Sequence, residues 1–335
     1  MTPPLTSSPE PTDAPSDPTR SARWWLRPLV TFGLYVLIFY YWVDFRIIAG
    51  LLAATDVRYV LLAVLVYWAG QLASAYRWYL LLGPVRLTAS YLRLASIYFI
   101  GMFFNIFLPT IVGGDAVKAV LLTRETGAPA RSTMSVFMDR NVGLLALLVI
   151  AIVAAWYAPA IEGGSLFGLT LVIGAGYVAA NVVLMSAHAY SLVDRAIALT
   201  PLAGIRQRAS SLYEAVAPYK RRHSALVVPL LLSFLHQAAV IAVVFLCARA
   251  LGRTFPLSAL AVFVPLSSLA GMVPITMNGM GIRDVLYVLL FGQLGASRDL
   301  SVSLALLHLA VTLIASLPGG IVYAFQKTPM RTTTP

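Results

Sequence analysis

Long apolar runs dominate the chain, and proline and glycine break two of them. Runs at about 28–50, 59–82, 134–157, 166–187, 226–247 and 300–325 are each long enough, as helices, to cross a hydrocarbon core of roughly 30 Å. Two further stretches, about 94–122 and 257–291, are interrupted midway. The limb from Leu94 to Leu108 has only about 15 residues before Pro109, short for a crossing at ~1.5 Å per residue. The second limb leads into Lys118, Arg124, Arg131 and Arg140, a basic stretch expected on the cytoplasmic side. A re-entrant hairpin that enters and returns on one side satisfies both facts. The pattern therefore predicts an all-α polytopic membrane protein with six full spans and two re-entrant hairpins, or eight membrane helices in all by hydropathy. Each half, about 23–160 and 161–327, reads span, span, hairpin, span. An odd number of crossings separates the two breaks, which makes the halves an inverted-topology repeat.

The breaks resemble each other in sequence. Pro109-Thr110-Ile111-Val112-Gly113-Gly114-Asp115-Ala116-Val117-Lys118 lies over Pro274-Ile275-Thr276-Met277-Asn278-Gly279-Met280-Gly281-Ile282-Arg283. Proline matches proline, Gly114 matches Gly279, and Lys118 matches Arg283. Each copy turns through glycines and restarts as an apolar helix with one cation expected in its second turn. A new helix start offers free N–H groups and the positive end of its dipole, and the cation adds a full charge. That chemistry suits an anionic group such as a phosphate. Non-helical backbone at membrane depth must be buried in protein or line a wet cavity, which places Gly113 and Gly114 in such a cavity.

Composition narrows the classes. Of 335 residues, 59% are hydrophobic and 11% charged, against about a quarter charged in soluble domains. The net charge of +11 is spread over short loops, so it reads as cytoplasmic-loop bias and attraction to anionic lipid, with no nucleic acid as partner. The single cysteine, Cys247, excludes disulfides and thiolate metal clusters within the chain. Residues 1–22 are rich in Pro, Ser and Thr and read as a disordered cytoplasmic tail, with 328–335 as a C-terminal one. Arg20, Arg23 and Arg27 before the first span, and Arg77, Arg86 and Arg93 after the second, mark cytoplasmic flanks of a cell (plasma or inner) membrane protein with both termini inside. The stretch 188–225, with six cations against Asp194 and Glu214, reads either as an amphipathic helix on anionic lipid or as a solvated linker.

Phe104-Asn105-Ile106-Phe107-Leu108-Pro109, then Gly113-Gly114-Asp115-Ala116-Val117-Lys118, then Asp139-Arg140, together resemble the lysylphosphatidylglycerol synthase transmembrane, or flippase-like, family. Gly279-Met280-Gly281-Ile282-Arg283-Asp284 and the closing Leu317-Pro318-Gly319-Gly320 resemble its second block. The resemblance covers roughly residues 25–327. It implies the membrane half of proteins that move aminoacylated phosphatidylglycerol between leaflets, with other relatives tied to phospholipids or lipid-linked sugars. The chain departs from the family pattern with Lys118 where arginine is common and Asp284 where glutamate is. Lysine loses the bidentate phosphate geometry, so the departures bear on headgroup identity.

An ionisable residue at membrane depth is costly and a functional candidate by default. The substrate-binding set expected here is Gly113, Gly114, Asp115, Lys118, Asp139, Arg140, Asn278, Gly279, Gly281, Arg283 and Asp284. The cations would hold a phosphate. The aspartates would orient the cations or receive a cationic headgroup; alternatively they cap helices and neutralise the pairs. Asn105 and Asn278 are expected to satisfy backbone groups freed at the breaks. His236 and Gln237, with Ser233 on the same face, and His308 are most simply read as helix-to-helix hydrogen bonds. No catalytic residue, metal or cofactor is expected: Walker, HExxH, nucleophile-elbow and CxxC motifs are missing, and no hydrophilic block is large enough for a catalytic domain. The function expected is translocation of an anionic phospholipid or lipid-linked headgroup through a central polar cavity. A membrane-embedded lipid transferase and a non-transporting scaffold are the alternatives, and a homo-oligomer or a separate lipid-modifying enzyme the protein partners.

Overall fold

A computed structural model describes residues 32–33, 45–107, 113–157, 164–198, 203–271 and 281–326. Every regular element among them is helical: α1 Phe45–Ala53, α2 Val57–Leu82, α3 Tyr91–Phe107, α4 Gly113–Thr126, α5 Pro129–Tyr157, α6 Gly164–Met185, α7 Ala187–Ala198, α8 Ala203–Lys220, a 3-10 turn His223–Leu226, α9 Val227–Ala250, α10 Leu257–Gly271, α11 Ile282–Gly292 and α12 Arg298–Phe325. Four of them, α2, α5, α9 and α12, are long and apolar enough to cross a membrane. The span expected at 166–187 corresponds to α6, and the one at 28–50 lies largely outside the described residues.

The broken segments are helical on both sides of each break. Their limbs have 17 and 14 residues in α3 and α4, and 15 and 11 in α10 and α11. At ~1.5 Å per residue the described parts of these limbs are about 17–26 Å long.

Two hydrophobic clusters hold the bundle. One joins Trp78, Leu81, Leu94, Ile97, Leu122 and Met138 with Val216 and Tyr219. The other joins Val243, Cys247, Phe263, Tyr287, Phe291 and Leu304. Leu61, Leu65, Leu231, Leu235, Ile314 and Ile321 stay exposed on the long helices, as helices facing lipid require. The most extensive helix pair is α2 with α9. It runs antiparallel. The Asp56 amide donates to the Ala250 carbonyl at 2.9 Å, the His236 ring lies 3.1 Å from the Gly70 carbonyl, and Arg77 reaches Ser233 at 3.0 Å. Around this axis α3 packs on α12 while α10 packs on α5; α4 packs on α5 while α11 packs on α12; α2 touches α12 while α9 touches α5.

Glycines permit the tightest crossings. A Cβ on Gly319 would strike the Phe99 backbone, so the Leu317-Pro318-Gly319-Gly320 run is where α12 crosses α3. A Cβ on Gly114 would strike the Gly101 carbonyl, which closes α3 onto α4.

The 188–225 stretch is largely helical, in line with the amphipathic-helix expectation and not with a solvated linker. It forms α7 and α8, and α8 docks on the bundle through buried Val216 and Tyr219. The Tyr219 hydroxyl donates to the Leu81 carbonyl at the end of α2 at 2.9 Å.

Candidate functional site

The first break sets up the site. Gly113 and Gly114 open α4 in a buried position, and the freed Gly114 N–H donates to the Asn105 side-chain oxygen of α3 at 2.9 Å. Asn105 therefore does what was expected of it. Asp115, in the first turn, is 6% exposed, and Lys118 is 5% exposed. Their side chains pair at 2.9 Å. From α5, Asp139 approaches Lys118 at 3.5 Å, and Arg140 pairs with Asp115.

A fifth charge completes the lattice. Arg77, expected to flank the second span, is 4% exposed and lies inside α2, with Trp78 to Leu82 still to come. Its guanidinium donates to Asp139 at 2.7 Å and to Ser233 of α9 at 3.0 Å. Trp78 is likewise buried and hydrogen-bonded to Ser135 at 3.2 Å, far from an interfacial role. The signal for Arg77 was the apolar run that continues beyond it: a cation more than a turn inside a span is a functional candidate in its own right. The Lys118 ammonium also lies 4.4 Å from the Tyr98 ring centre and 5.6 Å from that of Trp78, within cation–π range.

These side chains surround one cavity of about 250 Å³. Arg77, Lys118 and Arg140 face Asp115 and Asp139 across it, leaving one formal positive charge in excess. Tyr67 and Gln71 of α2 add polar groups, as do Tyr98 and Asn105 of α3 and Thr312 of α12. His236 and Gln237 also line it, although their hydrogen bonds go to the carbonyls of Gly70 and Gly143, the helix-to-helix role expected.

The second break is built differently. Gly281 has φ 87°, a conformation that favours glycine, and begins α11. Arg283 thus falls in the first turn of its helix, not the second, because the helix restarts later than the alignment of Gly114 with Gly279 implied. Asp284 accepts from the Gly281 N–H at 3.0 Å, a capping role. Arg283 stands 3.8 Å from Asp284, and two of its guanidinium nitrogens are buried without a hydrogen-bond partner among the described residues. The pair lies outside the lining of the cavity, although Arg283 is within electrostatic reach of Tyr67 on its wall. His308 bonds the Tyr287 hydroxyl at 2.9 Å, again between helices. Asn278 and Gly279 lie outside the described residues.

The family model for the lysylphosphatidylglycerol synthase TM region matches residues 24–320. The chain belongs to that family. The match takes in both broken segments and the Leu317-Pro318-Gly319-Gly320 crossing, as the sequence motifs implied. A UPF0104 membrane protein of Pyrococcus horikoshii is 24% identical over 315 residues, covering 85% of this chain and 92% of that relative. In this member of the lysylphosphatidylglycerol synthase TM region family, the charged motif residues of the first block meet in one ionic lattice, and Arg77 joins them from outside the motifs.

Proposed function

We propose that the protein carries an anionic lipid headgroup, as a phospholipid or a lipid-linked group, between the two leaflets of the cell membrane, with both termini in the cytoplasm. One observation carries this reading: a polar cavity inside an apolar bundle, walled by three cations and two carboxylates. One excess positive charge matches the single negative charge of a phosphodiester. A phosphate oxygen can take the place of a carboxylate on Arg140, which is the most exposed cation of the set at 36%. Such an exchange of partners leaves no buried charge unpaired and so keeps the barrier to entry and exit low. An apolar groove of about 400 Å³, walled by Trp68, Leu72, Phe99 and Pro318, lies on the outer side of α2 and α3 and suits an acyl chain.

The packing supports an inverted repeat of span, span, hairpin and span. Exchanging α2 with α9, α3 with α10, α4 with α11 and α5 with α12 turns each main contact into another that is present. The exchanged helices α2 and α9 run antiparallel, as inversion demands. Broken helices meeting near the bilayer midplane are the usual substrate site of such repeats, and rocking of one half against the other gives alternating access. A transferase reading gains nothing from the carboxylates, since Asp115, Asp139 and Asp284 are all committed to cations or to a helix cap.

Purified protein reconstituted with headgroup-labelled phospholipids provides the test. A membrane-impermeant quencher should destroy more than the outer-leaflet fraction of label for one anionic headgroup, and Arg140→Ala should abolish the excess. Equal quenching in protein-free vesicles, or full activity in Arg140→Ala, would sink the reading.

A further inference from the structure

A second polar concavity lies away from the ionic lattice, where the end of α2, the start of α5 and the end of α8 meet. It encloses about 500 Å³ and is lined by Arg86, Arg131, Arg221 and Arg222 against the single carboxylate of Glu214. No ion pair or side-chain hydrogen bond engages any of the four guanidiniums among the described residues. An excess of cations on short loops is the general mark of a cytoplasmic face. That bias asks only for a number of charges. It does not ask three separate stretches of chain to bring exposed arginines to the lining of one hollow, where like charges repel.

The backbone at Arg86 points the same way. The Leu87 N–H bonds the Leu82 carbonyl and the Arg86 N–H the Gly83 carbonyl, each at 3.1 Å, so α2 ends in a Schellman turn. Its left-handed position holds Arg86, with φ 54°, the one described non-glycine residue with positive φ. The same pair of bonds ends α9 and α11, where the left-handed residues are Gly252 and Gly295. The turn after α9 borders a hollow of its own, with Arg253 as the one charged residue in its lining. Glycine suits this position and an L side chain strains it. The non-glycine residue that holds this position is one that lines the hollow.

We infer that this hollow is a binding site for a phosphate anion carrying two or three negative charges, a phosphomonoester or a diphosphate. Four guanidiniums against one carboxylate leave three positive charges in excess, more than a phosphodiester can use, and planar guanidiniums pair bidentately with terminal phosphate oxygens. The site does not depend on the translocation reading: its charge differs from that of the central cavity, and no residue is shared between the two linings.

The test is titration of the full-length protein with inorganic pyrophosphate at low salt, in wild type, Arg86→Gly and Arg131→Gln. Saturable binding is expected in wild type and about tenfold weaker binding in each variant, the loss of one charge-assisted contact. Arg86→Gly should keep or raise the melting temperature, because glycine relieves the turn. Repeating the titration in nanodiscs containing phosphatidic acid or phosphatidylglycerol separates the sources. Competition by phosphatidic acid alone assigns the phosphate to a lipid headgroup, and undiminished pyrophosphate binding assigns it to a soluble compound. No saturable binding in wild type, or wild-type affinity in Arg86→Gly, overturns the site.

Discussion

Lys118 is the sixth residue of α4 and meets Asp139, the eleventh residue of α5. Tyr287 is the sixth residue of α11 and meets His308, the eleventh residue of α12. Asp115 and Asp284 are each third in their helices. The two broken segments thus make the same contacts from the same helical positions, in opposite chemistry. One contact is an ion pair between buried charges and the other a neutral hydrogen bond. Since a tyrosine and a histidine close the joint in the second half, the joint as such does not require charge. The ionic version costs desolvation on each partner, which excellent geometry only just recovers. Charge kept at one joint and absent from its counterpart argues that the first serves a ligand.

Breaking the ionic joint is the most damaging change. Asp139→Asn removes the carboxylate shared by Arg77 and Lys118 and leaves two buried cations short of a partner. A loss of about 3–5 kcal/mol is expected, visible as a large fall in melting temperature or failure to purify folded protein. A melting temperature within a few degrees of wild type would mean that the lattice is solvated and that the ionic joint costs no more than the neutral one. The complementary experiment imports the neutral chemistry: Lys118→Tyr and Asp139→His together with Arg77→Leu. With no cation stranded, this triple variant is expected to recover at least half of the stability that Asp139→Asn loses, and to lose headgroup translocation altogether. Translocation surviving in the folded triple variant would separate the lattice from function.

Much of this was legible in the sequence. Pro109 and the Gly113-Gly114 pair announced a break, and the charges at Asp115, Lys118, Asp139 and Arg140 could be gathered because a membrane tolerates such residues only in company. Two things were not legible. Arg77 beside Trp78 has the composition of an interface, and only the helix end at Leu82 reveals its depth. The register of the second break was also hidden. Residue identity pairs Lys118 with Arg283, whereas the positive φ of Gly281 starts α11 later and pairs Lys118 with Tyr287. Residue type cannot decide which of two nearby glycines, Gly279 or Gly281, begins a helix. Backbone geometry can.

Smaller effects test the caps. Asn105→Ala leaves the buried Gly114 N–H unsatisfied and should cost about 1–2 kcal/mol in chemical denaturation. An unchanged midpoint would mean that another group satisfies that N–H. Tyr287→Phe, which removes the neutral counterpart of the Lys118 joint, should cost about 1 kcal/mol; a cost comparable to Asp139→Asn would contradict the asymmetry between the joints.

Arg283→Ala should have the smallest effect on stability and a full effect on activity. Two of its guanidinium nitrogens have no hydrogen-bond partner among the described residues, and its carboxylate neighbour at 3.8 Å is already bonded to the Gly281 N–H. Little native bonding is lost with it, and Asp284 keeps its capping role, so the melting temperature should move by no more than a few degrees. Donors buried without partners are costly in a resting structure, and a phosphate that fills them recovers that cost on binding. Loss of translocation in a protein of near-native stability is therefore the expected outcome, read from the quenching assay and a melting curve on the same preparation. Wild-type translocation would remove the second break from the transport path, leaving the first lattice to act alone. A large fall in stability would make Arg283 a structural cation and not a ligand.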